Sequence, residues 1–118
     1  MSEGVKVQRE GHVLEVTLER AKVNAIDVPT SQALAAAFQE LHEDKDLRCA
    51  ILTGGGDKIF SAGWDLKALN DGEMQLDNWW EADEYGFGGF TGLTENWLLN
   101  KPVIAAINGL AIGGGFEM

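Results

Sequence analysis

Hydrophobic and polar positions alternate from the start of the chain. Val5 and Val7 are separated by polar residues, Glu10-Gly11 supplies a turn, and HVLEVTL places Leu14, Val16 and Leu18 on one face. A period of two on both sides of a turn predicts a β-hairpin. The next stretch, ERAKVNAID from Glu19 to Asp27, has no clean period and leads into Pro29, a residue favoured in the first turn of a helix. Leu34, Phe38 and Leu41 then recur at helical spacing among Ala33 and Ala35 to Ala37, which predicts a helix from Pro29 to Glu43. Its polar end, HEDKD, reads as a solvated face. RCAILT, from Arg48 to Thr53, suits a buried strand, and the glycine-rich GGGDKIFSAGWD follows it directly. A short helix begins over Asp65 to Leu69. From Asn70 to Asn96 the chain turns aromatic and acidic without a period, the pattern of a long functional loop. Pro102 opens a third core strand, VIAAIN, which runs into GLAIGGGFEM. Strands alternating with a helix predict an α/β arrangement, with no solenoid repeat and no internal linker.

Composition narrows the class. A chain of 118 residues holds one domain, and 45% hydrophobic with 24% charged residues is ordinary for a folded one. No apolar run approaches the ~18 residues of a membrane span. MSEGVKVQRE lacks the apolar core of a secretion signal, so a cytoplasmic location is expected. A net charge of −10 argues against binding nucleic acid or an anionic membrane surface. It leaves room for a small phosphorylated ligand held by a few Lys, Arg or backbone N–H groups. Cys49 stands alone in an apolar run and reads as a small core residue in a reducing compartment. His12 and His42 have no neighbours at ligand spacing, so no metal is expected.

The chemistry concentrates in two glycine-rich loops, FSAGWD and GLAIGGGFE, each following a buried strand. The first lacks the last glycine of GxGxxG, and no GK[ST] follows it, which excludes both common nucleotide-binding loops. If the two strands are neighbours, both loops open at one sheet edge, where α/β proteins bind ligands. Two backbone N–H groups, one from each loop, can then converge on one oxygen as an oxyanion hole. Glu117 beside them can move a proton near the polarised carbonyl. That constellation suits hydration, dehydration or double-bond migration.

At these residues the sequence resembles the enoyl-CoA hydratase/isomerase (crotonase) superfamily, nearly end to end. The hairpin leading into LERAKVNAID, the block AILTGGGDKIFSAGWDLKAL and the block KPVIAAINGLAIGGGFE occur in the family's order. KVNAID, FSAGWDLKA, GGFTGLTE and LNKPVIAAINGLAIGGGFE carry a finer likeness, to members that act on crotonobetainyl-CoA and carnitinyl-CoA. The resemblance implies an α/β, crotonase-like spiral of ββα units, with residues 1–118 its N-terminal part, truncated after the first catalytic glutamate.

By the same resemblance, the backbone N–H groups of Trp64 and Gly114 bind the thioester oxygen, and Glu117 is the first catalytic glutamate. Lys22, Val23, Ala25, Ala62, Asp65, Leu66 and Lys67 form the CoA-binding surface. Residue chemistry, apart from the resemblance, suggests an acyl pocket of Trp79, Trp80, Tyr85 and Phe90, where aromatic faces with Asp83 and Glu84 near the first three suit a quaternary ammonium group; the alternative is a lid whose aromatics pack over any acyl chain or against a neighbouring subunit. The implied partner is an acyl-CoA thioester. No cofactor is implied beyond the CoA of the substrate, and the implied assembly is a homotrimer or a dimer of trimers. Three departures stand out: Ala21 replaces the family's proline, the second glutamate of the hydratases is absent, and family members run well beyond this length. A helix begun at the triplet has too few residues to nucleate. An isomerase, another CoA-thioester lyase, or an inactive acyl-CoA-binding or subunit-interaction fragment fits the same residues.

Overall fold

The computed structural model describes residues 4–72 and 88–118. The hairpin forms as expected: β1 (Val5–Glu10) pairs antiparallel with β2 (Val13–Leu18), Val5 opposite Leu18 and Glu10 opposite Val13. β4 (Cys49–Gly54) lies parallel to β2, and β7 (Val103–Ala106) parallel to β4, giving a four-stranded sheet in the order β1-β2-β4-β7. Two shorter parallel ribbons complete the strands. β3 (Ala25–Ile26) pairs with β6 (Gly63–Trp64), and β5 (Ile59–Ser61) with β8 (Leu110–Ala111).

Helix α1 (Val28–Glu43) starts one residue before the expected proline. Asp27 sets that start: its Oδ1 accepts from the Thr30 N–H at 2.9 Å, answering an amide that the first turn cannot pair internally. Leu34, Phe38 and Leu41 are fully buried and meet Leu14, Val16 and Leu18 of β2 and Ala50 and Leu52 of β4 in one core. Burying each large apolar side chain stabilises the fold by about 1.5–3 kcal/mol. At the other end Lys101 Nζ donates to the carbonyls of Leu41 and Asp44, both at 2.7 Å, tying the approach to β7 to the helix C-terminus. Helix α2 (Leu66–Asn70) is capped by Asp65, and a 3-10 turn spans Phe90–Gly92.

Four expectations need correction. β1 buries only Val5; Val7 is exposed, because this strand is the edge of the sheet and among the described residues nothing covers its outer half. Cys49 is half-buried, since alternation along β4 turns Ala50 and Leu52 inward instead. The third core strand is shorter than VIAAIN and lies on the opposite edge, with Val103 half-buried and Ile104 to Ala106 exposed. A single helical turn, α3 (Gly114–Glu117), does form from the second glycine of the triplet onward, because its backbone is seated against neighbouring loops rather than nucleating in water. Among the described residues no helix is long and apolar enough to cross a membrane.

Phe38→Ala removes the largest side chain of the buried face and is expected to lower the unfolding free energy by about 3–5 kcal/mol, read from the shift in the urea midpoint.

Candidate active site

The site is assembled from three sequence blocks that only tertiary pairing brings together. Asn24, in KVNAID, is buried with a left-handed backbone (φ 48°). Its Nδ2 donates to the carbonyls of Ile59 at 3.0 Å, Gly55 at 3.2 Å and Phe60 at 3.3 Å, and its Oδ1 accepts from the Arg20 N–H. Ser61, fully buried, donates its hydroxyl to the Asn24 carbonyl at 2.8 Å and accepts the Gly63 N–H at 3.0 Å. The first block therefore fixes where the FSAGWD loop runs.

The third block joins through β8. The Leu110 N–H donates to the Lys58 carbonyl and the Ile112 N–H to the Ser61 carbonyl, each at 3.0 Å. Asn108 Nδ2 donates to the carbonyls of Gly54 at 2.6 Å and Gly56 at 2.9 Å, closing the turn after β4 onto the same block. At the junction the backbones touch. A Cβ on Gly63 (φ 82°) would lie 2.6 Å from Gly114 N, and one on Gly115 would run into the Ser61 carbonyl. Only glycine allows this approach at either position.

The two loops thus stand side by side with Trp64 next to Gly114. A Cβ built on Gly114 would sit 3.4 Å from Trp64 Cδ1 and 3.1 Å from Phe90 Cε1. The rings of Trp64 and Phe90 stack with centroids 3.9 Å apart and planes 12° from parallel. Phe90 is held by its own neighbour: Thr91, buried at φ 64°, donates its N–H to Ser31 Oγ on α1 at 2.9 Å. In α3 the amides of Gly115, Phe116 and Glu117 bond to the carbonyls of Ile112 and Gly113. The N–H of Gly114 meets no backbone acceptor among the described residues. Glu117 is exposed and three residues on from Gly114, hence on the same face of the turn. Two amides from two loops with a carboxylate alongside can polarise a carbonyl and move a proton next to it.

The residues expected at the CoA surface gather around the β3–β6 ribbon. Lys22 (φ 70°) and Val23 are exposed, Ala25 pairs with Gly63, Ala62 donates its N–H to the Val23 carbonyl at 3.0 Å, and Leu66 and Lys67 are exposed at the start of α2. A cavity of about 350 Å³ lies beside them, lined by Glu19, Arg20, Ala21, Lys22, Asn24, Gly55 and Gly56. Asp65 differs from the others in having its carboxylate engaged inside the protein. Oδ1 caps α2 through the Ala68 N–H at 3.0 Å and the Lys67 N–H at 3.1 Å, while Oδ2 pairs with Arg20 at 2.9 Å. Trp79, Trp80 and Tyr85 lie outside the described residues, as do Asp83 and Glu84.

Sequence reading passed over Arg20, Asn24, Asp27, Ser61 and Asn108. Asp27 had a readable signal, an aspartate two residues before proline at a helix start. Asn24, Ser61 and Asn108, like Arg20 in its pairing with Asp65, act through partners dozens of residues away, which no local pattern displays.

The chain belongs to the enoyl-CoA hydratase/isomerase family, whose pattern its residues 8–118 match. Its relatives are lyases of that family, and the α/β, crotonase-like fold expected from the sequence is the fold of the solved members. It is similar to a carnitinyl-CoA dehydratase of Salmonella enteritidis, with 56% identity over 118 residues, all of this chain and 43% of that one. A carnitinyl-CoA hydratase from Mycobacterium avium superimposes with TM-score 0.82 at 36% identity, over 99% of this chain and 43% of that one. An enoyl-CoA hydratase from Mycobacterium tuberculosis gives 0.79 at 39% identity, over 97% and 41%. The chain spans less than half the length of these relatives.

The Ala68 N–H, followed by the Arg20 guanidinium, holds the Asp65 carboxyl below its ordinary value of 3.8 against the opposing effect of burial. The stabilisation is therefore complete above that value and is lost as pH falls through the lower folded value. Asp44, lowered by Arg9, adds to the same acid limb. Asp65→Asn should flatten the fall in urea midpoint below pH ~4 relative to the parent chain.

Proposed function

We propose that these residues belong to an acyl-CoA hydro-lyase that reversibly hydrates a 2-enoyl-CoA thioester, with crotonobetainyl-CoA and carnitinyl-CoA as the substrate pair. The carrying observation is the contact between the Gly63-Trp64 and Gly114-Gly115 backbones. In this reading the N–H groups of Trp64 and Gly114 hold the thioester oxygen. Glu117 takes a proton from water as the water oxygen bonds to the β-carbon, the electron pair of the double bond moving to the oxygen as an enolate. Return of that proton from Glu117 to the α-carbon completes hydration and restores the carboxylate. The donors stabilise charge that exists only along the reaction path, and losing one costs ~2.7–4 kcal/mol of transition-state stabilisation. Lys22, Val23, Ala25, Ala62, Asp65, Leu66 and Lys67 offer the CoA surface, with Asp65 contributing through its backbone and its fixed position.

The acyl group is supported by the named relatives and by residue types. Trp79, Trp80 and Tyr85 near Asp83 and Glu84 suit a quaternary ammonium, with cation–π attraction of ~0.5–2 kcal/mol per contact. Phe90, stacked on Trp64, supplies an apolar wall at the reacting end. A second reading, a subunit-interaction or acyl-CoA-binding module, is supported by the exposed apolar side chains of Ile104, Ile107, Leu110, Ile112 and Phe116 in the third block.

The gene product carrying these residues should hydrate crotonobetainyl-CoA faster than crotonyl-CoA, followed by loss of the conjugated enoyl absorbance. A preference for the neutral substrate overturns the proposed acyl group. Thioester binding without turnover favours the second reading. Gly114→Pro removes one donor at a first-turn position, so kcat per folded molecule should fall about 10²–10³-fold, while its ring, set against Phe90, Trp64 and Gly63, also lowers the urea midpoint.

A further inference from the structure

We propose that Arg20 is a positioning residue that sets the direction of the Trp64 amide by holding the β3–β6 ribbon in register, an assignment that rests on the oxyanion reading above. The register of the ribbon is Ala25 to Gly63 and Ile26 to Trp64, in parallel. Continued by one residue, it brings Asp27 level with Asp65. Each of these carboxylates caps a helix with one oxygen: Asp27 Oδ1 serves α1 and Asp65 Oδ1 serves α2. Each turns its other oxygen toward the same guanidinium. Arg20 Nη2 lies 3.2 Å from Asp27 Oδ2 and Nη1 2.9 Å from Asp65 Oδ2. Nη1 also donates to the Ala25 carbonyl at 2.7 Å, so the fork grips β3 itself as well.

Two carboxylates at one level of a parallel ribbon repel each other, and the pair is stable here because one planar cation answers both. Side-chain exposures of 28% for Arg20, 21% for Asp27 and 17% for Asp65 keep the charges partly shielded from water, where attraction and repulsion both count for more. Trp64 is the residue immediately before Asp65, and the Asp65 N–H donates to the Ile26 carbonyl at 2.9 Å. Anything that shifts Asp65 along the ribbon therefore rotates the Trp64–Asp65 segment. A lysine carries the same charge as a point and lacks the fork to reach three acceptors at once.

The test compares Arg20→Lys with the parent gene product by steady-state kinetics and by the absorption of a bound conjugated enoyl-CoA, whose band moves to the red when its carbonyl accepts two hydrogen bonds. The expected result is a fall in kcat of about 10²-fold, the cost of a small misplacement of a catalytic group, with KM near the parent value and the red shift reduced. Asp65→Asn, which keeps a capping oxygen and loses the charge pair, should show the same split. It carries the test if Arg20→Lys does not fold. A raised KM at unchanged kcat would make Arg20 a ligand of the CoA anion and overturn the proposal. So would lower stability with parent kcat and parent red shift per folded molecule. Absence of any red shift in the parent protein would remove the oxyanion reading itself, and this assignment with it.

Discussion

The side-chain amide of Asn24 is buried in a left-handed turn and faces the carbonyls of Gly55, Ile59 and Phe60, while the Asn24 carbonyl receives the Ser61 hydroxyl. Gly55 lies in the turn after β4, while Ile59 and Phe60 belong to the three-residue β5, which pairs among the described residues with β8 alone. A buried polar group without a partner costs about 1–3 kcal/mol, which gives this one side chain control over where the loop can sit. Ser61 passes the constraint on to Gly63, and Gly63 touches Gly114. The position of the two candidate donors is thus inherited from an asparagine nearly the whole sheet away in sequence.

Most of the large elements were legible because their periods are strong. Leu14, Val16 and Leu18 announce β2, and Leu34, Phe38 and Leu41 announce α1. The ribbons were not legible, since two residues such as Ala25-Ile26 or Leu110-Ala111 cannot display a period, and their parallel partners lie dozens of residues away. The strand at Val103 was read as core from its apolar composition. Its burial depends on what packs against it, which composition does not state. For the site, glycine chemistry showed FSAGWD and IGGGFE clearly because few residues tolerate such backbone contacts. Arg20 stayed hidden: its partner Asp65 is 45 residues on, and an Arg-Ala-Lys run reads as surface charge.

Charge follows a related logic. The chain carries a net charge of −10, yet Arg20 and Lys101 are turned inward, one bridging two helix caps and the other closing the end of α1. Cations scarce enough to be outnumbered two to one are used where a buried or shielded acceptor would otherwise stand alone. Lys22 and Lys67 are exposed beside the cavity and the β3–β6 ribbon. An anionic ligand therefore approaches against the overall field and meets attraction only locally, which favours short-range recognition over long-range steering.

Among the described residues β7 is the sheet edge opposite β1, with one row of backbone donors and acceptors turned outward, and Ile104 within it is 54% exposed. A strand edge of this kind is a template for any other strand, including the same strand of another molecule. Lys101 and Pro102 guard only its beginning. Handling of the isolated chain is thus governed by concentration as much as by temperature: dilution protects the fold from edge-to-edge growth that no gain in core packing would prevent.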